Sequence, residues 1–162
     1  MQEGLTIVRK FNAPKSLVFA AFATAEALAA WWGPKGMPIT VHNLDFKPGG
    51  IFHYKMEGNG QTMWGIFHYS NIVEPDMIEF VSSFSDEEGN ICKSPFPIDF
   101  PLEVFNRVTL EEVNGITTLT LKGHPTNATA AQEETYRSMF KSMEQGFGGT
   151  MDQLEDYLTT LH

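Results

Sequence analysis

The sequence predicts an α+β domain built from a seven-stranded antiparallel sheet, two short helices after its first strand, and one long helix at its C-terminal end. Three observations carry this reading. Between residues 38 and 123 the chain breaks into short runs rich in Phe, Ile, Val and Thr, separated by turn signals at Pro48-Gly49-Gly50, Gly58-Asn59-Gly60, Glu74-Pro75-Asp76 and Asn114-Gly115. From Ala130 onward, apolar residues recur at steps of three and four. A length of 162 residues with 42% hydrophobic content suits one core of ordinary size, so residues 1–162 read as a single domain.

Each element follows from local chemistry. Leu5, Ile7, Arg9 and Phe11 alternate with Thr6, Val8 and Lys10, a strand whose apolar face Arg9 interrupts. Ala13-Pro14 ends it, and Pro14 suits the first turn of a helix over residues 15–23, where Leu17, Val18, Ala21 and Phe22 share a face. Thr24 caps a second helix over 25–32, which Gly33-Pro34 terminates. Strands are then expected at 39–45, 51–56, 62–73, 77–84, 102–112 and 116–123. Residues 86–101, with an Asp-Glu-Glu run, three prolines and Phe96, Ile98 and Phe100, form a long insertion. It reads either as a cover over a pocket or dimer contact, or as a hairpin excursion. Thr129 and Gln132 have capping-box spacing, and one helix is expected over 130–161. At ~1.5 Å per residue it spans ~45 Å and must lie across the sheet. Gly146, Gly148 and Gly149 each cost that helix about 1 kcal/mol relative to Ala. The offset is expected from close packing on the sheet, from a kink, or from room for a ligand.

Register assigns faces. If Asn59-Gly60 centres a hairpin, Tyr54 lies opposite Gly65 and Phe52 opposite Phe67, with Met56, Met63 and Tyr69 on the same inward face. Phe80 and Phe84 continue it, and the Val104, Asn106, Val108 and Leu110 phase is expected inside. The outward face carries Ile51, His53, Lys55, Trp64, Ile66 and His68, a mixed set through which a homodimer is expected to form by Ile51, Trp64 and Ile66.

Charge and motifs narrow the function. A net charge of −9 disfavours nucleic acid and anionic lipid surfaces. The single Cys92 precludes an internal disulfide, no N-terminal apolar run reads as a signal sequence, and the longest apolar stretch, 17–23, is too short for a membrane span. A cytoplasmic location is expected. No P-loop, G-x-S-x-G, H-E-x-x-H or CxxC pattern occurs. His53 and His68 are diagonal neighbours without an evident third ligand, and the histidines are read as solvated surface residues. No metal or cofactor is expected. Acid/base candidates are Arg9, Asp45, Tyr54, Tyr69, Glu103 and Arg107, of which only the tyrosines lie on the inward face. Together Trp31, Trp32, Phe52, Tyr54, Phe67, Tyr69, Phe80, Phe84, Asn106, Met143 and Phe147 are the expected lining of a ligand site between sheet and helix, because aromatic rings and Met line concave apolar sites.

The order of elements is that of the helix-grip fold, and particular runs carry a family likeness. Arg9-Lys10-Phe11-Asn12-Ala13-Pro14 followed by Val18-Phe19-Ala20-Ala21-Phe22, then Ala30-Trp31-Trp32-Gly33-Pro34, then Asp45-Phe46-Lys47-Pro48-Gly49-Gly50-Ile51-Phe52, with Gly65-Ile66-Phe67 and Gly146-Phe147 later, resemble the START-like, birch-pollen-allergen-like SRPBCC superfamily. Within it the chain is similar to homologues of the activator of the 90-kDa heat-shock-protein ATPase. That family usually has Trp where Phe147 stands. The resemblance implies a curved sheet wrapped around the long helix, with a cavity that in many relatives takes up hydrophobic or amphipathic molecules. Binding of a hydrophobic or aromatic small molecule is the expected function. A polyketide cyclase/dehydratase-like enzyme using Tyr54 or Tyr69, and a chaperone ATPase-activator-like interaction protein, are the alternatives. A first strand at Leu5 leaves no room before it for the chaperone-binding domain of the eukaryotic activators, which weighs against the last.

Overall fold

The computed structural model describes residues 4–33, 36–58, 60–95 and 98–161. The elements are β1 (Leu5–Phe11), α1 (Lys15–Ala20), α2 (Ala25–Trp31), β2 (Ile39–Leu44), β3 (Ile51–Gly58), β4 (Gln61–Val73), β5 (Met77–Ser85), β6 (Glu103–Val113), β7 (Ile116–Thr126), α3 (Ala130–Ser138) and α4 (Phe140–Thr159). One seven-stranded sheet runs in the order β1-β7-β6-β5-β4-β3-β2, every neighbouring pair antiparallel. Bulges between Val41 and Asn43 and between Tyr69 and Asn71 bend it.

The expected register holds. Tyr54 pairs with Gly65, Phe52 with Phe67, and Met56 with Met63. Asn59, the expected hairpin centre, and Pro34 and Phe96 lie outside the described residues. Val104, Asn106, Val108 and Leu110 are buried on the inner face. Pro125 extends β7 beyond the expected end at Gly123, past Leu5–Gly123, the last described pair between β1 and β7. Thr24 Oγ1 accepts the Ala27 N–H, and the Thr129/Gln132 capping box forms in both directions.

The C-terminal helix is not continuous. Met139, at φ −100° and ψ 4°, separates α3 from α4. Tyr136 of α3 is buried with Leu5 and Val104, and Phe140, Met143 and Phe147 from the start of α4 pack against that same cluster, whereas Met151, Leu154 and Leu158 further along α4 join the main core of Phe11, Trp31, Phe52 and Leu119. Close packing does not explain Gly146 or Gly148, where a built Cβ meets no atom within 4 Å.

Arg9, anomalous in sequence, faces α4 and pairs with Asp152 and Glu155. The outward face is also not as expected. His53 is buried, its Nε2 3.1 Å from the Asp86 carbonyl oxygen, with the His42 ring 5.0 Å away. Ile66 is buried too, below Gly89. The segment after β5 folds back as a strap, held by the Asp86 carboxylate accepting from the Glu88 and Asn90 amides and by a bridge between Ser85 and Ile91. Ile66 is therefore covered by its own chain and is not free for a dimer contact.

Two substitutions test this frame. Gly148→Ala adds helix propensity where a Cβ meets nothing, and is expected to raise stability by up to about 1 kcal/mol in urea unfolding. Thr117→Val removes the buried hydroxyl that donates to the Ala13 carbonyl oxygen at 2.7 Å. It strands that oxygen and is expected to lower stability by roughly 1 to 3 kcal/mol in the same assay.

Candidate functional site

The site begins with the junction between α2 and β2. Trp31 and Trp32 are consecutive, so their rings leave the chain in different directions. Trp31 is fully buried, and its indole N–H donates to the Ala21 carbonyl oxygen at 2.8 Å. Trp32, half-buried, turns under the sheet and stands edge-on to Phe67 at 5.2 Å, Tyr54 at 6.4 Å and Trp31 at 5.5 Å, with Phe147 at 6.4 Å.

Tyr54 is placed by a missing side chain. Its strand partner Gly65 has no Cβ, and one built there would lie 2.6 Å from both Cζ and Oη of the tyrosine. The phenol thus lies flat across β4, with Phe52 stacked beside it at 4.6 Å. Burial pushes the Tyr54 phenol up to about 12, and a hydrogen bond with the Trp32 side chain acts in the opposite direction. Burial also pushes the Tyr69 phenol well up, with the Tyr54 charge adding to it.

Between this platform and α4 lies an open-sided cavity of about 500 Å³. The sheet side contributes Tyr54, Met56, Met63 and Phe84; the α2–β2 junction contributes Trp32, Gly33 and Met37; and α4 contributes Ser142, Met143, Gly146, Phe147 and Thr150. No described lining residue is charged. A second cavity of about 140 Å³ shares Tyr54, Met56 and Phe84 and continues under Phe100 and Pro101 towards Val104 and Ser82. A larger groove of about 620 Å³ lies at the other end of α4, against Lys10, Asn12, Pro14 and Glu155, and takes in none of the expected site residues.

Of the eleven expected residues, Trp32, Tyr54, Phe84, Met143 and Phe147 come together around the 500 Å³ cavity. Phe67 and Phe80 stack on each other at 4.1 Å behind Trp32, and Trp31, Phe52 and Tyr69 are core with them. Asn106 lines neither cavity. Its amide donates to Ser82 Oγ and to the Val104 carbonyl oxygen, both at 3.0 Å, and Gly123 leaves room for its Oδ1. Met37, Met56, Met63, Ser142 and Gly146 were not on the expected list. The alternation that puts Met56 and Met63 inward is visible in the sequence, but the cavity's position at that end of the sheet is not. The other acid/base candidates lie elsewhere: Arg9 pairs with Asp152, Arg107 with Glu79, Asp45 is exposed near Lys47, and Glu103 accepts from Asn127. Among the described residues no group of three or more His, Cys, Asp or Glu is placed to hold a metal. No helix is long and apolar enough to cross a membrane among those residues.

Known structures share this architecture. A protein from Arthrobacter aurescens is 28% identical, with 97% of this chain and 86% of that one covered and a TM-score of 0.81. A protein from Mycobacterium smegmatis is 26% identical, with 100% and 97% covered and a TM-score of 0.79. At 21% identity, covering 99% of this chain and 100% of the other, the AHSA1 protein of Silicibacter pomeroyi has the same fold at a TM-score of 0.76. No curated protein matches the chain in sequence. The model of one family, described as Activator of Hsp90 ATPase homolog 1-like protein, matches residues 12–159. With that match spanning nearly the whole chain and the fold agreeing, the chain belongs to the Activator of Hsp90 ATPase homolog 1-like family.

Proposed function

We propose that this chain binds an uncharged, apolar or aromatic small molecule in the cavity between the curved sheet and α4. The observation that carries the reading is the cavity itself: about 500 Å³, walled by aromatic rings and methionines, with no charged group among its described lining residues. Its size falls within the range of sites that enclose small organic ligands, roughly 300 to 1,000 Å³. A charged group set against this wall would give up hydration there without a charged partner among the described lining residues. The Gly146 position supports the same reading, since a glycine that packing does not require enlarges the cavity at the expense of helix propensity. Tyr54 is the titratable group among the described lining residues, and it stays protonated at neutral pH. A phenol of that kind donates a hydrogen bond to a bound molecule more readily than it abstracts a proton, which weighs against Tyr54 as a general base.

Two measurements test the proposal. Nile red, a neutral dye, is expected to bind with NMR shift changes clustered at Trp32, Tyr54, Phe84 and Phe147, and Gly146→Phe is expected to weaken uptake at least about tenfold by filling the cavity. No uptake of the dye, or of any lipid-, flavonoid- or polyketide-like compound, would overturn the reading. The affinity is also expected to stay constant from about pH 6 to about pH 9, because no described lining group titrates between those limits. A step near the histidine range would place a different group at the site.

A further inference from the structure

Four of the eight methionines meet at this one cavity. Met56 and Met63 are direct partners on β3 and β4. Met37 lies against the backbone of Gly58, where a Cβ would come within 2.8 Å of its Cγ. Met143 faces them from α4. All four are half-buried residues, unlike Met151, which is buried in the main core. Polar partners are few: the Thr150 hydroxyl already donates to the Gly33 and Gly146 carbonyl oxygens, leaving Tyr54 and Ser142 as the other described hydroxyls of the lining.

We propose that these methionines form a peroxide-sensitive modification site, whose oxidation to sulfoxides shuts the cavity to apolar ligands. This rests on the binding function proposed above. In the reaction a thioether sulfur takes one oxygen atom from a hydroperoxide. The sulfur loses two electrons, the O–O bond breaks, and the peroxide leaves as an alcohol, or as water when hydrogen peroxide is the oxidant. A flexible apolar side chain becomes polar and chiral. Each sulfoxide oxygen then keeps its water only if the apolar ligand stays out, and burying it without a partner weakens binding on the order of ten- to a hundredfold. Two reductases, one for each sulfoxide epimer, restore the original wall: a dithiol supplies two electrons and two protons and becomes a disulfide, and the oxygen leaves as water.

The test uses the full chain carrying Cys92→Ser, so that thiol oxidation plays no part. Protein treated with graded hydrogen peroxide is mapped by peptide mass spectrometry and titrated with Nile red. The expected result is oxidation at Met37, Met56, Met63 and Met143, a parallel tenfold or greater loss of Nile red affinity, and recovery after treatment with both epimer-specific methionine sulfoxide reductases and a dithiol. With all four changed to Leu, the ratio of dye affinity before and after peroxide, each measured on that same variant, is expected to stay near one, while Met77→Leu/Met139→Leu, away from the cavity, remains sensitive. If the fourfold variant does not fold, Met56→Leu/Met63→Leu is expected to show a reduced response. Unchanged affinity after these four are oxidised, or peroxide sensitivity that persists in the fourfold variant, overturns the switch. Unoxidised protein that takes up no Nile red overturns the binding reading instead.

Discussion

The architecture of the site depends on one fastening between two helices distant in sequence. The C-terminal end of a helix leaves carbonyl oxygens without intrahelical partners. At the end of α2 those oxygens are met by side chains of α4. Thr150 Oγ1 donates to Gly33 at 2.9 Å, and Gln153 Nε2 donates to Trp31 at 3.1 Å and to Gly33 at 2.7 Å. These bonds fix how α4 lies relative to the α2–β2 junction. They hold Trp32 below the sheet and keep the helix from settling onto Tyr54 and Met56. The cavity is the space that remains.

On the two sides of that fastening α4 has different properties. Its C-terminal half carries Met151, Leu154 and Leu158 into the core, and Asp152 meets Arg9 of β1. Its N-terminal half starts at Met139 without a side-chain cap or an acidic residue in the first turn, has Lys141 there instead, and contains Gly146, Gly148 and Gly149. Cap, charge and propensity all weaken this half. It is also the half that forms the cavity wall, so the helix is secured at one end and least stable where a ligand would need it to yield.

The opposite face of the sheet shows how the same chain closes a surface. The strap after β5 lies over His53 and Ile66, with Asp86 organising its own turn through two backbone amides. The chain then returns to the inner side, where Phe100 and Pro101 roof the smaller cavity and Phe100 meets Phe84 at 6.1 Å and Tyr136 at 6.0 Å. One long excursion from β5 to β6 thus serves both faces, which joins two of the roles its composition suggests.

The sequence by itself determined what rests on short-range patterns. Alternation assigned Phe52, Tyr54, Phe67, Val104 and Asn106 to the inner face, and the Gly58-Asn59-Gly60 turn set the pairing of Tyr54 with Gly65, since a shift of one residue would have turned every apolar side chain outward. Thr24 and Thr129 marked helix starts because capping is a contact over three residues. Only the tertiary structure decided where the interior stays empty. Phe80 and Asn106 have the same inward phase as Tyr54 and Phe84, yet the first two are filled in by neighbours and the second two border open space. The break at Met139, the burial of His53 and the fastening of α4 were equally hidden. Each depends on elements remote in sequence, and the groups that Thr150, Gln153 and His53 meet are backbone carbonyl oxygens, which every residue carries alike and no residue type announces.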